Sequence, residues 1–201
     1  ALSERIRAHV AEIRMGDVSD FRTFMGAVID KNAFARHAAA LAEAGSSAEC
    51  RVVTGGKADD AIGWFVEPTV IEVTNPEHRL MKEELFGPIL AVWIYPDGDE
   101  DLALARVDAC PYALTGAVFA RDRGFIVKAA HALRNAAGNF YVNDKPTGAV
   151  VGQQPFGGTR LSGTNDKAGS ALNLQRWSAP RALKETLSPP LEVGYPSMRE
   201  S

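Results

Sequence analysis

The chain has 201 residues, of which 46% are hydrophobic and 8% are aromatic, and its formal net charge at pH 7 is -3. A chain of this length can bury the core of one large or two small domains. It has no basic excess to neutralise phosphates, which argues against a nucleic-acid or anionic-membrane surface. We therefore expect a soluble globular protein with no nucleic-acid or membrane partner.

The cysteine content indicates the compartment. Only Cys50 and Cys110 are present, and their spacing matches no metal-binding or redox motif. So few cysteines suit a reducing compartment, and the first residues lack the pattern of a signal peptide. We expect a cytoplasmic location, or the mitochondrial matrix if the source is a eukaryote, and no metal site.

The first part of the chain predicts two helices followed by a hairpin-like pair of strands. Apolar residues recur at helical spacing in two segments, which contain Ile6, Val10 and Ile13, and then Phe34, Ala38 and Leu41. Asp30 is a suitable N-cap for the second helix, and Gly45 marks its end. A short strand at 51–53 reaches the Gly55-Gly56 turn, and extended residues follow at 64–73.

The middle of the chain alternates strands with helices. Strands are predicted at 89–95, 114–119 and 140–142, the first of them covered on both faces. Helices are predicted after Asp99 and after Asp122, each an N-cap candidate. This order is typical of a parallel sheet with right-handed crossovers.

The predicted fold class is α/β, a mostly parallel sheet flanked by helices, followed by an extended C-terminal strand. Residues 1–165 form the sheet domain, 166–186 carry the terminal strand, and 187–201 form a proline-broken tail. A terminal strand that stands away from a compact core often pairs with another subunit.

The run from Gly138 to Gly163 is rich in glycine and follows a predicted strand. Glycine allows a backbone to approach a ligand closely, and loops at the ends of sheet strands are where α/β proteins usually bind ligands. The run therefore indicates a ligand loop.

Motifs that carry chemistry are missing. The sequence has no GxGxxG, GxxxxGK[ST], HExxH, CxxC or GxSxG motif. The four histidines, His9, His37, His78 and His131, are scattered, which favours packing or surface roles over catalysis. Both cysteines are interpreted as structural thiols; for Cys110, no helix N-terminus or neighbouring cation that would activate the thiol is evident from the sequence.

The segment Lys82 to Pro88, KEELFGP, is different in kind. A carboxylate and an aromatic ring two residues apart, followed by Gly-Pro, place a hydrogen-bond acceptor and a flat apolar face on one short loop. Such a pair suits a ribose diol and a nicotinamide ring. The alternative, equally supported by the residues, is a helix end anchored by Phe86.

Four blocks in order carry a family resemblance: KEELFGP, YALTGAVF, GNFYVND and QPFGGTRLSG. Together they resemble the C-terminal half of the aldehyde dehydrogenase superfamily, over about residues 1–185. The runs AVIDKNAF, RNAAGNFYVNDK and TGAVVGQQPFGG are most similar to the members that oxidise glutamate γ-semialdehyde to glutamate with NAD in proline catabolism. The C-terminal strand then implies a homo-oligomer.

The resemblance implies roles for individual residues. Glu84 matches the residue that binds the nicotinamide ribose, and Phe86 the one beside the nicotinamide ring. Gly148 and Ala149 match the loop whose backbone N–H groups bind the substrate carboxylate, and Phe156 the aromatic on its aliphatic chain. Asn143, Lys145 and residues 159–163 are predicted to brace these loops.

The chain departs from the family in one large respect. The family reaction uses a cysteine nucleophile, and neither Cys50 nor Cys110 aligns with it; the nucleophile and the dinucleotide-binding domain lie upstream of the matched blocks. We therefore expect a fragment of such a dehydrogenase that is inactive alone. A stand-alone, non-catalytic α/β module and a dehydrogenase for another carboxylated aldehyde remain alternatives.

Overall fold

The computed structural model describes residues 2–150, 152–189 and 191–198. They form a mixture of helices and small sheets, which confirms the predicted α/β class. The α-helices are α1 (Leu2–Ala11), α2 (Lys31–Ser46), α3 (Glu100–Asp108) and α4 (Arg123–Ala132). The strands are β1 (Cys50–Thr54), β2 (Ala58–Asp59), β3 (Phe65–Val66), β4 (Thr69–Val73), β5 (Ile89–Val92), β6 (Tyr112–Ala113), β7 (Thr115–Val118), β8 (Asn139–Val142) and β9 (Thr159–Arg160). Short 3-10 helices lie at Arg79–Met81, Ala171–Trp177 and Pro196–Met198.

The main core lies between α2 and a sheet of order β1-β4-β5. β4 pairs antiparallel with β1 and parallel with β5. α2 begins where predicted, because the Asp30 carboxylate accepts a hydrogen bond from the Ala33 N–H at 2.7 Å. The helix buries Ala40 and Ala44 against apolar strand residues such as Ile71. The hairpin-like pairing of β1 with β4 confirms the prediction for this region.

A second unit, β7-α4-β8, carries the glycine-rich run. β7 and β8 pair in parallel, with Thr115 opposite Asn139, and α4 connects them. Asp122 caps α4 by accepting from the Phe125 N–H at 2.5 Å. Val118, Ile126 and Ala129 form the small core of this unit. The strand-helix-strand prediction is therefore confirmed here.

The predicted continuous sheet is divided in this structure. β5 ends at Val92, and Leu90 and Ile94 are 54% and 63% exposed, so the prediction of a strand over 89–95 covered on both faces was wrong. β5 and β7 belong to different sheets. The apolar residues at 89–95 suggested a buried strand, but a strand is buried only where other elements pack on both of its faces. Asp99 stands at the N-cap of α3, as predicted, but its side chain makes no capping hydrogen bond.

The predicted C-terminal strand is not a strand in the described residues. Residues 171–177 form a 3-10 helix, and residues 178–189 pair with no strand. Arg176 forms an ion pair with Asp166 that holds this turn. An extended segment gains a strand's hydrogen bonds only from a partner strand, and none of the described strands lies beside it. In the predicted tail, Pro190 and residues 199–201 lie outside the described residues.

Candidate functional site

The loop of residues 82–88, here the Glu84 loop, leads from the 3-10 helix Arg79–Met81 into β5. Its end is tied to the sheet, because the Thr69 N–H donates to the Pro88 carbonyl at 2.8 Å. The Leu85 side chain packs against the main core. Phe86 has a φ of 56° and is 85% exposed. A left-handed backbone at a non-glycine residue costs on the order of 1–3 kcal/mol and is found often at functional sites.

Glu84 differs from the neighbouring acidic residues. Glu77 forms ion pairs with Lys82 and Arg106, and the hydrogen bond from Lys82 lowers the pKa of Glu77. Glu83 pairs with Arg79 at 2.5 Å. Among the described residues, no ion pair or hydrogen bond engages the Glu84 carboxylate. It is left free to accept hydrogen bonds from a ligand.

Glu84 lines a cleft of about 370 Å³. The same cleft is also lined by Thr115, Gly116 and Ala117 of β7 and by Phe140 of β8. Phe140 lies on the strand that leads into the anchor side of the glycine-rich run, so the cleft joins the Glu84 loop to the β7-β8 pair. The sequence predicted the loop, but not this cleft.

The glycine-rich run folds back on its own start. Gly138 lies so close to Gly157 that a Cβ on Gly138 would be 1.7 Å from the Gly157 carbonyl oxygen. The Asn139 side chain donates to the Pro155 carbonyl at 2.9 Å and accepts from the Gly157 N–H at 3.2 Å. These contacts close a loop of residues 143–156, here the anchor loop, at the end of β8.

Adjacent backbone donors on the anchor loop, among them Gly148 and Ala149, have no acceptor among the described residues. The Tyr141 hydroxyl donates to the Thr147 carbonyl at 3.0 Å, which positions the start of this stretch. The N–H groups of Gly148 and Ala149 donate to no acceptor within the part of the chain that the structure describes. Successive free N–H groups of this kind can bind an anion. Val151, in the same run, lies outside the described residues.

Phe156 lies at the far end of the anchor loop. It is half-buried, and its N–H donates to the Ala168 carbonyl at 3.0 Å in an isolated antiparallel bridge. The bridge holds the backbone of Phe156 while part of its ring remains accessible. Such a ring can pack against an aliphatic ligand chain.

The residues predicted as braces make structural contacts. The Asn143 side chain exchanges two hydrogen bonds with the Ala120 backbone, at 2.9 and 3.0 Å, which ties the end of β8 to that of β7. Residues 159–160 form β9, and the Ser162 hydroxyl accepts from the Ala113 N–H at 3.0 Å. The Lys145 side chain makes no hydrogen bond or ion pair with the described residues, so its bracing role stays a prediction.

Sequence reasoning missed Lys167. Its Nζ donates to the Gly138 carbonyl at 2.7 Å and to the Gly157 carbonyl at 3.4 Å, joining the two ends of the glycine-rich run. A lysine among polar loop residues carries no signal of this role. The contact depends on the folded path of the chain, since 29 residues separate Lys167 from Gly138.

Cys50, His78 and Glu43 come together in a way that resembles a catalytic triad. His78 Nε2 lies 3.6 Å from the Cys50 Sγ and 3.9 Å from a Glu43 oxygen. His78 Nδ1, however, accepts a hydrogen bond from the Leu80 N–H at 3.2 Å. The lone pair of the neutral ring is therefore at Nδ1, and Nε2 carries hydrogen, so His78 cannot take the thiol proton. This cluster is structural.

The other candidate residues also have structural surroundings. Cys110 is a half-buried free thiol whose carbonyl accepts from Arg160 at 2.7 Å. His9 and His131 are exposed, and His37 is buried on α2. Within the described residues, no cluster of three or more His, Cys, Asp or Glu side chains is arranged to hold a metal ion. Nor does any helix described here have the length and apolarity that a membrane crossing requires.

The order of blocks and the two loops match a known family. The aldehyde dehydrogenase family model covers residues 1–182, and the chain therefore belongs to the aldehyde dehydrogenase family. The chain is 50% identical over 189 residues to the mitochondrial delta-1-pyrroline-5-carboxylate dehydrogenase of Danio rerio. It is 48% identical over 197 residues to the Homo sapiens enzyme of that name.

Solved structures give the same relationship. The delta-pyrroline-5-carboxylate dehydrogenase of Mycobacterium tuberculosis matches 98% of this chain with a TM-score of 0.84 and 48% identity. A second structure of that enzyme, bound with NAD, has a TM-score of 0.80. The chain covers 34% and 35% of the two curated relatives and 37% of the first solved structure. It thus spans about a third of the length of these relatives.

Proposed function

We propose that this chain forms part of an NAD-dependent dehydrogenase that oxidises L-glutamate γ-semialdehyde, the open form of Δ1-pyrroline-5-carboxylate, to L-glutamate. The observation that carries the proposal is the pair of adjacent N–H groups at Gly148 and Ala149, which have no acceptor among the described residues and lie on the loop that resembles the carboxylate anchor of that enzyme. The similarity to dehydrogenases of this name supports the same substrate.

The Glu84 loop fits the cofactor. The free carboxylate of Glu84 is an acceptor for the two hydroxyls of the nicotinamide ribose, and the exposed ring of Phe86 offers an apolar face to the nicotinamide. NAD, when bound, accepts a hydride from the substrate carbon. The chain's own contribution is to orient the ribose and to shield one side of the ring.

The anchor loop fits the substrate. The N–H groups of Gly148 and Ala149 donate to its α-carboxylate, and Phe156 packs against its methylene groups. Ala149 supplies no hydroxyl, so recognition depends on backbone donors. A site built to hydrogen-bond a carboxylate discriminates strongly against substrates that leave those donors unpaired.

The family reaction needs a cysteine thiolate that attacks the aldehyde, and we propose that neither Cys50 nor Cys110 provides it. Cys50 faces a histidine that cannot accept its proton, and Cys110 lies in a structural turn. We therefore expect the 201 residues alone to show no aldehyde oxidation. Detection of NAD-dependent glutamate semialdehyde turnover by the purified chain would overturn this part of the proposal.

The full-length gene product provides the main test. We expect NAD reduction with Δ1-pyrroline-5-carboxylate at a higher kcat/KM than with succinic semialdehyde, which lacks an α-amino acid end. A preference for succinic semialdehyde would defeat the substrate assignment. Failure to reduce NAD with either aldehyde would favour a non-catalytic α/β module instead.

A matched pair of variants tests the anchor. Gly148→Pro removes one N–H donor, whereas Gly148→Ala keeps it. Hydrogen bonds to charged groups contribute about 1.5–3 kcal/mol, so the proline variant should raise the KM for substrate about tenfold or more. The alanine variant should keep a KM close to wild type. Equal KM values for both variants would contradict the anchor role.

The assembly and location are also proposals. The apolar side chains of Leu174, Trp177 and Leu183 are exposed in the C-terminal segment, which supports association of this segment with another copy of the protein. Size-exclusion chromatography with light scattering should show an oligomer; a strictly monomeric gene product would refute this. The proposed location is the bacterial cytoplasm or the mitochondrial matrix, the latter in line with the names of the eukaryotic relatives, and cell fractionation tests it.

A further inference from the structure

The buried side chain of His37 contacts the backbone of the Glu84 loop. It lies on α2, is 0% exposed, and its Nε2 is 2.9 Å from the carbonyl oxygen of Leu85. The two residues are 48 positions apart in the chain. Because Leu85 lies between Glu84 and Phe86, this hydrogen bond acts on the backbone that carries both predicted cofactor contacts.

The hydrogen bond determines which nitrogen of His37 carries hydrogen. A carbonyl oxygen only accepts, so Nε2 is the donor. His37 Nδ1 is buried and has no partner among the described residues. A buried acceptor without a partner is unfavourable, so an apolar side chain would suit simple packing better. What His37 provides that an apolar side chain cannot is the hydrogen bond from Nε2 to the Leu85 carbonyl.

The imidazole ring also lies against the backbone of Gly87. A Cβ on Gly87 would lie 2.3 Å from His37 Nε2 and 2.4 Å from its Cε1. The ring thus contacts the loop both before and after Phe86, at the carbonyl of Leu85 and at the Cα of Gly87. Phe86 itself has the left-handed conformation that directs its ring outward, which only a well-supported loop can maintain.

We propose that His37 is a positioning residue for cofactor binding: it holds the Glu84 loop through the Leu85 carbonyl and the backbone of Gly87, which presets Glu84 and Phe86 for NAD. This inference rests on the proposed function, because it assigns the Glu84 loop to the cofactor. Its first test therefore uses no ligand.

Hydrogen exchange of the full-length gene product, without NAD, measures the loop directly. A useful pair of variants is His37→Gln, whose amide reaches about as far as Nε2, and His37→Asn, which carries the same groups but is too short. The N–H groups of Thr69, Glu83 and Ile89 report on the loop, because Thr69 and Ile89 donate to the carbonyls of Pro88 and Gly87 and Glu83 donates to that of Arg79. We expect His37→Asn to raise amide exchange at these three residues about tenfold, and His37→Gln to stay within about twofold of wild type. Exchange in the anchor loop should not change. Unchanged exchange at all three residues of the Asn variant would overturn the proposal.

NAD affinity, measured by calorimetry, gives the second readout. The Asn variant should raise the Kd about tenfold, equivalent to 1.4 kcal/mol, and the Gln variant should restore it. His131→Asn, on the exposed side of α4, is the matched control and should bind NAD as wild type does. If the loop loosens but the Kd is unchanged, the cofactor-positioning role is wrong. If the wild-type protein binds no NAD, the proposed function fails, while hydrogen exchange still decides whether His37 holds the loop.

A double-mutant cycle tests the contact with Gly87. Gly87→Ala alone should weaken NAD binding, because its methyl group displaces the ring. Combined with His37→Ala, which makes room, the same change should have a much smaller effect. Strictly additive effects on the Kd would show that the two residues do not act through each other and would overturn this part of the proposal.

Discussion

Replacing Gly138 by alanine should destabilise the protein strongly, because the new methyl group has no space. It would lie 1.7 Å from the Gly157 carbonyl oxygen and 2.8 Å from the Gly158 Cα, both backbone atoms. The strand start cannot retreat easily: the Gly138 N–H donates to the carbonyls of Ala113 and Leu114, at 3.0 and 3.1 Å. The clash can therefore be relieved only if the backbone at Gly157 and Gly158 moves away from Gly138.

The cost can be worked out from the contacts that are lost. Overpacking by one methyl group costs about 1–3 kcal/mol, and separation also breaks the hydrogen bond from Lys167 to the Gly138 carbonyl. A hydrogen bond to a charged group contributes about 1.5–3 kcal/mol. We expect the free energy of unfolding to fall by about 3–5 kcal/mol in total. A loss of this size is large for a single substitution and is typical of severe overpacking.

Thermal unfolding of the full-length gene product, with Gly148→Ala as control, checks this value. No heavy atom lies within 4 Å of a Cβ built on Gly148, so that variant should melt at or slightly above the wild-type temperature. Gly138→Ala should melt at least about 5 °C lower. Equal melting temperatures for the two variants would refute the close approach on which the geometry of the anchor loop depends.

Three further outcomes are expected. Asp30→Ala removes the N-cap of α2 and should cost about 1 kcal/mol of stability in urea unfolding; Asp30→Asn should retain most of it, and equal midpoints for wild type and the alanine variant would contradict the cap. Glu84→Gln should weaken NAD binding about tenfold in calorimetry without lowering the melting temperature, because the carboxylate has no partner to lose among the described residues. Glu83→Gln, which loses only its ion pair with Arg79, should bind NAD normally, and an equal loss in both variants would argue against a specific role for Glu84. The hydrogen bond from Arg79 holds the pKa of Glu43 below its ordinary value of 4.5, so this contribution to stability is complete above that value and is lost as the pH falls through the lower folded-state pKa. The melting temperatures of wild type and Glu43→Gln should therefore converge on acidification, and a gap that widens would show that the sign is wrong.

Local signals were sufficient for most of the elements. Asp30 and Asp122 cap the helices that follow them because a side chain and the first turn of its helix are covalently close. The β7-α4-β8 unit was predictable for a similar reason, since apolar runs separated by one amphipathic helix have few ways to pack. Where burial depended on distant neighbours, as at Leu90 and Ile94, the prediction was wrong.

The C-terminal segment shows the same limit. Its composition favours an extended strand, but Ala171–Trp177 is a 3-10 helix and the rest has no described partner strand. A strand is completed by hydrogen bonds to another segment, so its sequence alone cannot establish it. Whether a second subunit supplies that segment stays a prediction.

The sequence by itself determined the helix caps, the strand-helix-strand order and the family, and through the family motifs it pointed to Glu84, Phe86, Gly148, Ala149 and Phe156. Only the tertiary structure decided which polar groups are engaged and which remain free. It joined Lys167 to Gly138 and His37 to Leu85, and among the described residues it left the Glu84 carboxylate and the N–H groups of Gly148 and Ala149 without partners. Such hydrogen bonds depend on the relative placement of segments far apart in the chain, and therefore no local pattern encodes them.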